Sequence, residues 1–152
     1  MRLSTEASVT IPRPQSEVFD HLVQDEALVR YCRSWGPFAA IDEARTEGAR
    51  REGATRHVRM SDGMALEETI TEWVEPARHG YRWGPPPKPL GLLIRQADGL
   101  FLFEEAGPGQ TKVTWRYTFT FRSPVLWPVG KGLLAGFRRW MQAGLDNAQT
   151  AL

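Results

Sequence analysis

An α+β fold, in which a curved antiparallel sheet is covered by a long C-terminal helix, is predicted by three features of this chain. Residues 113 to 121 alternate without a break between large apolar side chains (Val113, Trp115, Tyr117, Phe119, Phe121) and polar ones (Thr114, Arg116, Thr118, Thr120). That alternation marks a strand with one buried face; a strand covered on both faces would be apolar throughout, so the sheet is read as antiparallel and wet on one side. The last thirty residues then carry Leu133, Phe137, Trp140, Met141, Gly144, Leu145 and Ala148 at helical spacing, after a Ser123-Pro124 pair that fits a helix N-cap followed by proline in the first turn. Between these ends and the N-terminus, the stretch from Phe38 to Trp83 breaks into short strand-like runs at Gly- and Pro-containing turns.

The elements follow in order. Ala7, Val9 and Ile11 share one face against Glu6, Ser8 and Thr10, so a first strand spans residues 3 to 11. Pro12 and Pro14 end it and start a short helix whose stripe is Val18, Phe19, Leu22 and Val23. A second short helix follows Asp25, with Leu28, Val29 and Cys32 inward, and is stopped by Ser34-Trp35-Gly36-Pro37. Strands are expected at residues 38–46, 54–61, 64–74, 78–84, 100–105 and 113–121, with a hairpin turn at Ser61-Asp62-Gly63. The run from Gly84 to Pro89 holds four prolines and can be neither helix nor central strand, so it is expected as a rigid, exposed loop.

A chain of 152 residues with 41% apolar side chains suits one domain, residues 1–152, with a sizeable core. Nineteen Lys and Arg against eighteen Asp and Glu give no reason to expect nucleic acid as a partner. The single cysteine, Cys32, cannot form an internal disulfide and no signal peptide is evident, so a cytoplasmic location is expected. Lys131, Arg138, Arg139 and Gln142 interrupt the stretch from Pro124 to Leu145 well inside the roughly 20 apolar residues that a membrane span needs, so no integral membrane association is expected. Such an amphipathic stretch faces either the core of its own domain, the commoner arrangement, or a membrane surface.

The order of strand, two short helices, a run of strands and one long helix is joined by three local patterns: Val9-Thr10-Ile11-Pro12 before Glu17-Val18-Phe19; Glu68-Thr69-Ile70-Thr71-Glu72-Trp73 running into Pro76; and Gly109-Gln110-Thr111-Lys112-Val113-Thr114-Trp115 before the final helix. Over nearly the whole chain this resembles the START and polyketide cyclase/dehydrase (SRPBCC) superfamily of helix-grip proteins. The resemblance implies a sheet of about seven strands gripping the C-terminal helix around a deep apolar cavity. It also implies a ligand among lipids, sterols, polyketides or plant hormones, or cyclisation or dehydration of a polyketide chain. These patterns belong to fold rather than to catalysis, so function rests on what lines the cavity.

Strand alternation names the lining once a register is chosen. A three-residue loop of Ser61, Asp62 and Gly63 sets Met60 opposite Met64, Val58 opposite Leu66 and Arg56 opposite Glu68, with Ile70 continuing the apolar row; a two-residue loop would mix His57 and Arg59 into that row. The segregated register puts an Arg56–Glu68 pair on the inward face. The pair could brace the sheet, anchor a ligand's carbonyl, hydroxyl or carboxylate, or serve as general acid or base, with Tyr117 the third candidate for catalysis. The remaining expected ligand-binding residues are Trp35 near the mouth, Tyr81 and Trp83, Phe101 and Phe103, Trp115, Tyr117 and Phe119, and Leu133, Phe137 and Trp140 of the helix. Bulky aromatics can equally fill a core; Tyr81, Tyr117 and Trp115 carry the polar tips that would touch a ligand. Phe38 and the proline loop could also frame a mouth.

His21, His57, His79 and Cys32 have no metal-ligand spacing, and no nucleophile elbow, phosphate loop or dinucleotide fingerprint occurs, so neither metal nor cofactor is expected. Three readings of function remain: a binding module for a hydrophobic lipid-like or polyketide-like molecule, a polyketide cyclase/dehydratase, and a partner-binding regulator with a vestigial cavity. A homodimer is left open.

Overall fold

The computed structural model describes residues 1–152. The strands are β1 (Arg2–Ile11), β2 (Ile41–Thr46), β3 (Thr55–Met60), β4 (Ala65–Val74), β5 (Arg78–Trp83), β6 (Ile94–Gly107) and β7 (Gln110–Phe121); the helices are α1 (Gln15–Leu22), α2 (Asp25–Tyr31) and α3 (Trp127–Ala151). All seven strands form one antiparallel sheet in the order β1-β7-β6-β5-β4-β3-β2. The three helices lie on its apolar face, and the core forms between them.

The hairpin register is the segregated one. Arg56 lies opposite Glu68 and Val58 opposite Leu66, and Met60 N–H donates to Met64 O at 2.8 Å around a turn in which Gly63 has φ +89°. Glycine alone adopts that φ without strain.

Two boundaries differ from the sequence expectation. β6 starts at Ile94, not near residue 100, because its inward positions there are occupied by the small Ala97 and Gly99 and a bulge after Ile94 shifts the register. Small side chains hide an alternation that large ones display. At the other end of the sheet, Trp35 and Phe38 exchange backbone hydrogen bonds in a tight turn, so β2 begins only at Ile41. The Ser123 hydroxyl does cap a turn by accepting from Val125 N–H, but that turn is a short 3-10 turn, Pro124–Leu126, which leads into α3.

α3 runs along β1, whose outer edge would otherwise present unpaired carbonyls. Arg138 Nε donates to Glu6 O, Gln142 Nε2 to Ser8 O and Gln149 Nε2 to Thr10 O, every second carbonyl as the strand's pleat dictates. Close approach of the helix is set by glycine: a Cβ on Gly130 would stand 2.9 Å from both Leu3 and Phe121, and one on Gly136 would stand 2.8 Å from Phe38.

Candidate functional site

The inward rows of the sheet have two different fates. Toward the end covered by α1 and α2, aromatic rings fill the space but for a void of about 20 Å³ beside Phe101 and Trp115: Phe19 of α1 meets Phe103 edge-on at 5.1 Å and Trp73 at 5.3 Å, and Phe101 stacks on Trp115 at 4.8 Å. Ile70, Tyr81, Phe101, Phe103 and Trp115 are buried here as core. They do not border the open volume, because α1 and α2 press directly on this half of the sheet. Arg56 also stands behind the cavity wall, its guanidinium 5.1 Å over the Tyr81 ring. Trp35 is likewise outside, half-buried beneath Arg139.

Toward the other end only α3 covers the sheet, and a cavity of about 720 Å³ remains. Its walls are Val58, Met60, Leu66 and Glu68 of the β3–β4 hairpin, Trp83 of β5, Ile94 of β6, Tyr117 and Phe119 of β7, and Leu133, Phe137 and Trp140 of α3. Three loops frame it: Pro37 to Ala39, the turn Asp62 to Met64, and Pro87 to Leu90. Ten residues named from the sequence therefore meet around one volume. Loop residues were beyond strand alternation, which reports faces and says nothing of how connections fold back; Phe38 takes the place expected of Trp35, its ring against Phe137 at 5.8 Å.

Sixteen of the twenty-three lining residues are apolar, and the polar groups that reach the interior are few. Arg56 Nε donates to Glu68 Oε1 at 2.7 Å, with the two side chains only 4% and 6% exposed. Burial pulls the guanidinium's pKa down, but the Glu68 carboxylate and Tyr81 outweigh it, and the net shift is upward, so Arg56 stays charged. Trp83 Nε1 donates to Tyr117 Oη at 3.2 Å, Trp115 Nε1 to Tyr81 Oη at 3.0 Å and Trp140 Nε1 to Ala39 O at 3.0 Å, so these three buried indoles are all satisfied. Burial first, and the nearby Glu68 charge with it, raises both tyrosines above the ordinary phenol value. Tyr117 is thus a neutral phenol that accepts from Trp83 and has its own proton to donate. The Cys32 thiol, pushed up to about 12 chiefly by burial, is no nucleophile.

Gly99 makes this arrangement possible. It lies opposite Tyr81 on one side and Tyr117 on the other, and a Cβ there would fall 2.2 Å from Tyr81 Cζ and 2.6 Å from its hydroxyl oxygen. Gly99→Ala is expected to displace the Tyr81 ring, break its bond to Trp115 and cost about 1–3 kcal/mol of overpacking. Urea unfolding followed by tryptophan fluorescence checks this; wild-type stability in the variant would mean the ring is free to move aside.

A larger, open depression of about 1000 Å³ lies between α2 and the outer strands, but only five of its thirteen residues are apolar. Its rim carries mutually paired charges such as Arg59 with Glu43, and it reads as a solvated groove. No group of three His, Cys, Asp or Glu side chains converges to hold a metal ion.

Residues 2–152 match a family model described as polyketide cyclase / dehydrase and lipid transport. The chain belongs to this family. Solved structures share the helix-grip fold at low sequence identity. XoxI from Bacillus cereus matches with TM-score 0.72 at 16% identity over 97% of this chain and 94% of that one. A Thermus thermophilus protein matches with TM-score 0.72 at 14% identity over 97% and 95%. Ginseng major latex-like protein 151 from Panax ginseng matches with TM-score 0.68 at 12% identity over 99% and 97%. No curated protein matches the chain in sequence. No helix is long and apolar enough to cross a membrane.

Proposed function

We propose that the protein binds a hydrophobic small molecule, lipid-like or polyketide-like, in the cavity between the sheet and α3. The observation that carries this reading is a volume of about 720 Å³ bounded mainly by apolar side chains, with the Glu68 carboxylate and the neutral Tyr117 phenol in its wall and Asp62 and Lys88 on the loops that frame it. That size falls within the roughly 300–1,000 Å³ of small-molecule sites, and so does the pattern of an apolar lining with a few convergent polar groups. An apolar body with a hydroxyl or amine aimed at Glu68, or a carbonyl aimed at Tyr117, matches what these groups accept and donate. The open volume supports a binding role over the regulator with a vestigial cavity.

Leu133 is half-buried and faces this space from α3. Leu133→Trp is expected to occupy the cavity, leave thermal stability unchanged or higher, and weaken uptake of the fluorescent probe N-phenylnaphthylamine at least about tenfold. Unaltered uptake by a folded variant would remove the cavity as the binding site.

The second reading, cyclisation or dehydration of a poly-ketone chain, draws on the same two groups: Tyr117 would polarise a carbonyl while Glu68 moves a proton. Under it, Tyr117→Phe lowers turnover of a poly-β-ketone about a hundredfold while probe uptake persists. Equal turnover in the variant leaves binding alone.

A further inference from the structure

The exposed large apolar side chains are Val74, Leu92, Val125, Trp127 and Val129, each at least about half exposed and Val125 at 82%. Four of the five lie in two segments, the turn around residues 90–92 and the 3-10 turn Pro124–Leu126 with the start of α3 that follows it. These segments are joined: Arg122 Nε donates to Gly91 O at 2.7 Å, and its backbone N–H donates to Leu93 O at 3.0 Å. Gly130 faces Leu3 and Phe121, which turns that side of α3 inward and leaves Trp127 and Val129 on its flanks. Val129 stands one helical turn before Leu133, which lines the cavity together with Leu90. The apolar tips therefore border the cavity mouth.

Their surroundings are basic. Lys88, Arg122 and Lys131 are exposed beside them, and Lys131 Nζ sits 4.8 Å from the centre of the Trp127 ring. From residue 106 to residue 145 the chain has no Asp or Glu, but it has Lys112, Arg116, Arg122, Lys131, Arg138 and Arg139. Of these, Arg122 and Lys131 lie beside the apolar tips together with Lys88, whereas Arg116 lies farther along β7 and pairs with Glu6. Across the mouth, the Asp62 carboxylate accepts from Met64 N–H within its own turn.

We propose that this surface docks the protein on an anionic lipid bilayer. Leu92, Val125, Trp127 and Val129 enter the boundary between headgroups and acyl chains, and Lys88, Arg122 and Lys131 meet the lipid phosphates. The apolar groups protrude as separate tips from a turn and a helix start, a shape that a deformable bilayer receives and a preformed protein groove does not. A second copy docking on the same patch would bring two basic rims together, which is repulsive. The proposal is independent of what the cavity holds.

The test is flotation with vesicles of phosphatidylcholine, and with vesicles of phosphatidylcholine mixed with phosphatidylglycerol, at low and at physiological salt. The wild type is expected to float only with the anionic vesicles and less at higher salt. Val125→Asp combined with Val129→Asp is expected to weaken binding at least about tenfold, and Lys131→Ala about fivefold. Aspartates in the first turns of a helix favour its dipole, so the double variant keeps its fold and circular dichroism checks that it does. Three outcomes overturn the proposal: no flotation with anionic vesicles, equal flotation of the folded double variant, or a concentration-dependent dimer that the aspartates abolish in place of vesicle binding.

Discussion

Arg56→Leu is expected to destabilise the protein by about 3–5 kcal/mol. Arg56 and Glu68 face each other across neighbouring strands, 2.7 Å apart and almost fully buried, among Val58, Ile70 and Tyr81. Removing the guanidinium leaves a carboxylate in apolar surroundings with its charge-assisted bond gone. Removing both charges is far less costly, because the desolvation of each ion disappears together with their attraction. Arg56→Leu with Glu68→Leu should therefore recover most of the lost stability, and a double-mutant cycle by urea denaturation measures the coupling. Additive losses, with no recovery in the double variant, would show that the two side chains are satisfied independently. If the cycle closes as expected, Glu68→Leu in the Arg56→Leu background also gives a stable protein in which the cavity has lost its carboxylate, and probe uptake then reports what that group contributes to binding.

The second large effect is a loss of stability in acid that originates at His79. This ring is almost fully buried between Trp73, Tyr81 and Phe101, and neither of its nitrogens has a hydrogen-bond partner in the protein. Burial, reinforced by the positive Arg56 and Arg50, lowers its pKa from 6.5 to about 3. The unfolded chain thus takes up a proton near pH 6.5 that the folded protein refuses until about pH 3. Above pH 6.5 the two states bind equal numbers of protons at this site and stability is unaffected; as pH falls from 6.5 toward 3, stability falls by about 1.4 kcal/mol per unit, or about 3 kcal/mol by pH 4. His79→Leu removes this proton linkage and also removes two buried polar atoms without partners, so at pH 7 it should be no less stable than wild type. The difference between the two proteins, followed by denaturant unfolding from pH 7 to pH 4, cancels the carboxylates they share. Parallel curves would mean that His79 does not titrate differently in the folded state. Because Arg56 is among the charges that depress His79, the acid-sensitive window should also narrow in Arg56→Leu.

The hairpin at Asp62, the Arg56–Glu68 pair and the inward rows of β3, β4 and β7 were legible in the chain because each depends on alternation with period two and on one turn length. The start of β6 was not, since Ala97 and Gly99 on its buried face carry no large apolar signal. Trp35 was read as a mouth residue from its place at the end of α2, whereas the backbone exchange between Trp35 and Phe38 turns Phe38 inward in its stead. His79 falls on the inward face of β5 with Tyr81 and Trp83 by the same alternation, so its burial was legible; that neither ring nitrogen would find a partner was not, because partners come from distant segments.

The order of elements, the faces of the strands and the covering role of the C-terminal helix were determined by local periodicity, which is written into consecutive residues. Which aromatic rings became solid core and which became cavity wall was decided only by tertiary structure. Phe101, Phe103 and Trp115 alternate in the same way as Tyr117 and Phe119, yet α1 and α2 press on the first group while α3 alone spans the second. That outcome depends on where three separate helices land on one sheet, a long-range packing result that no window of neighbouring residues contains.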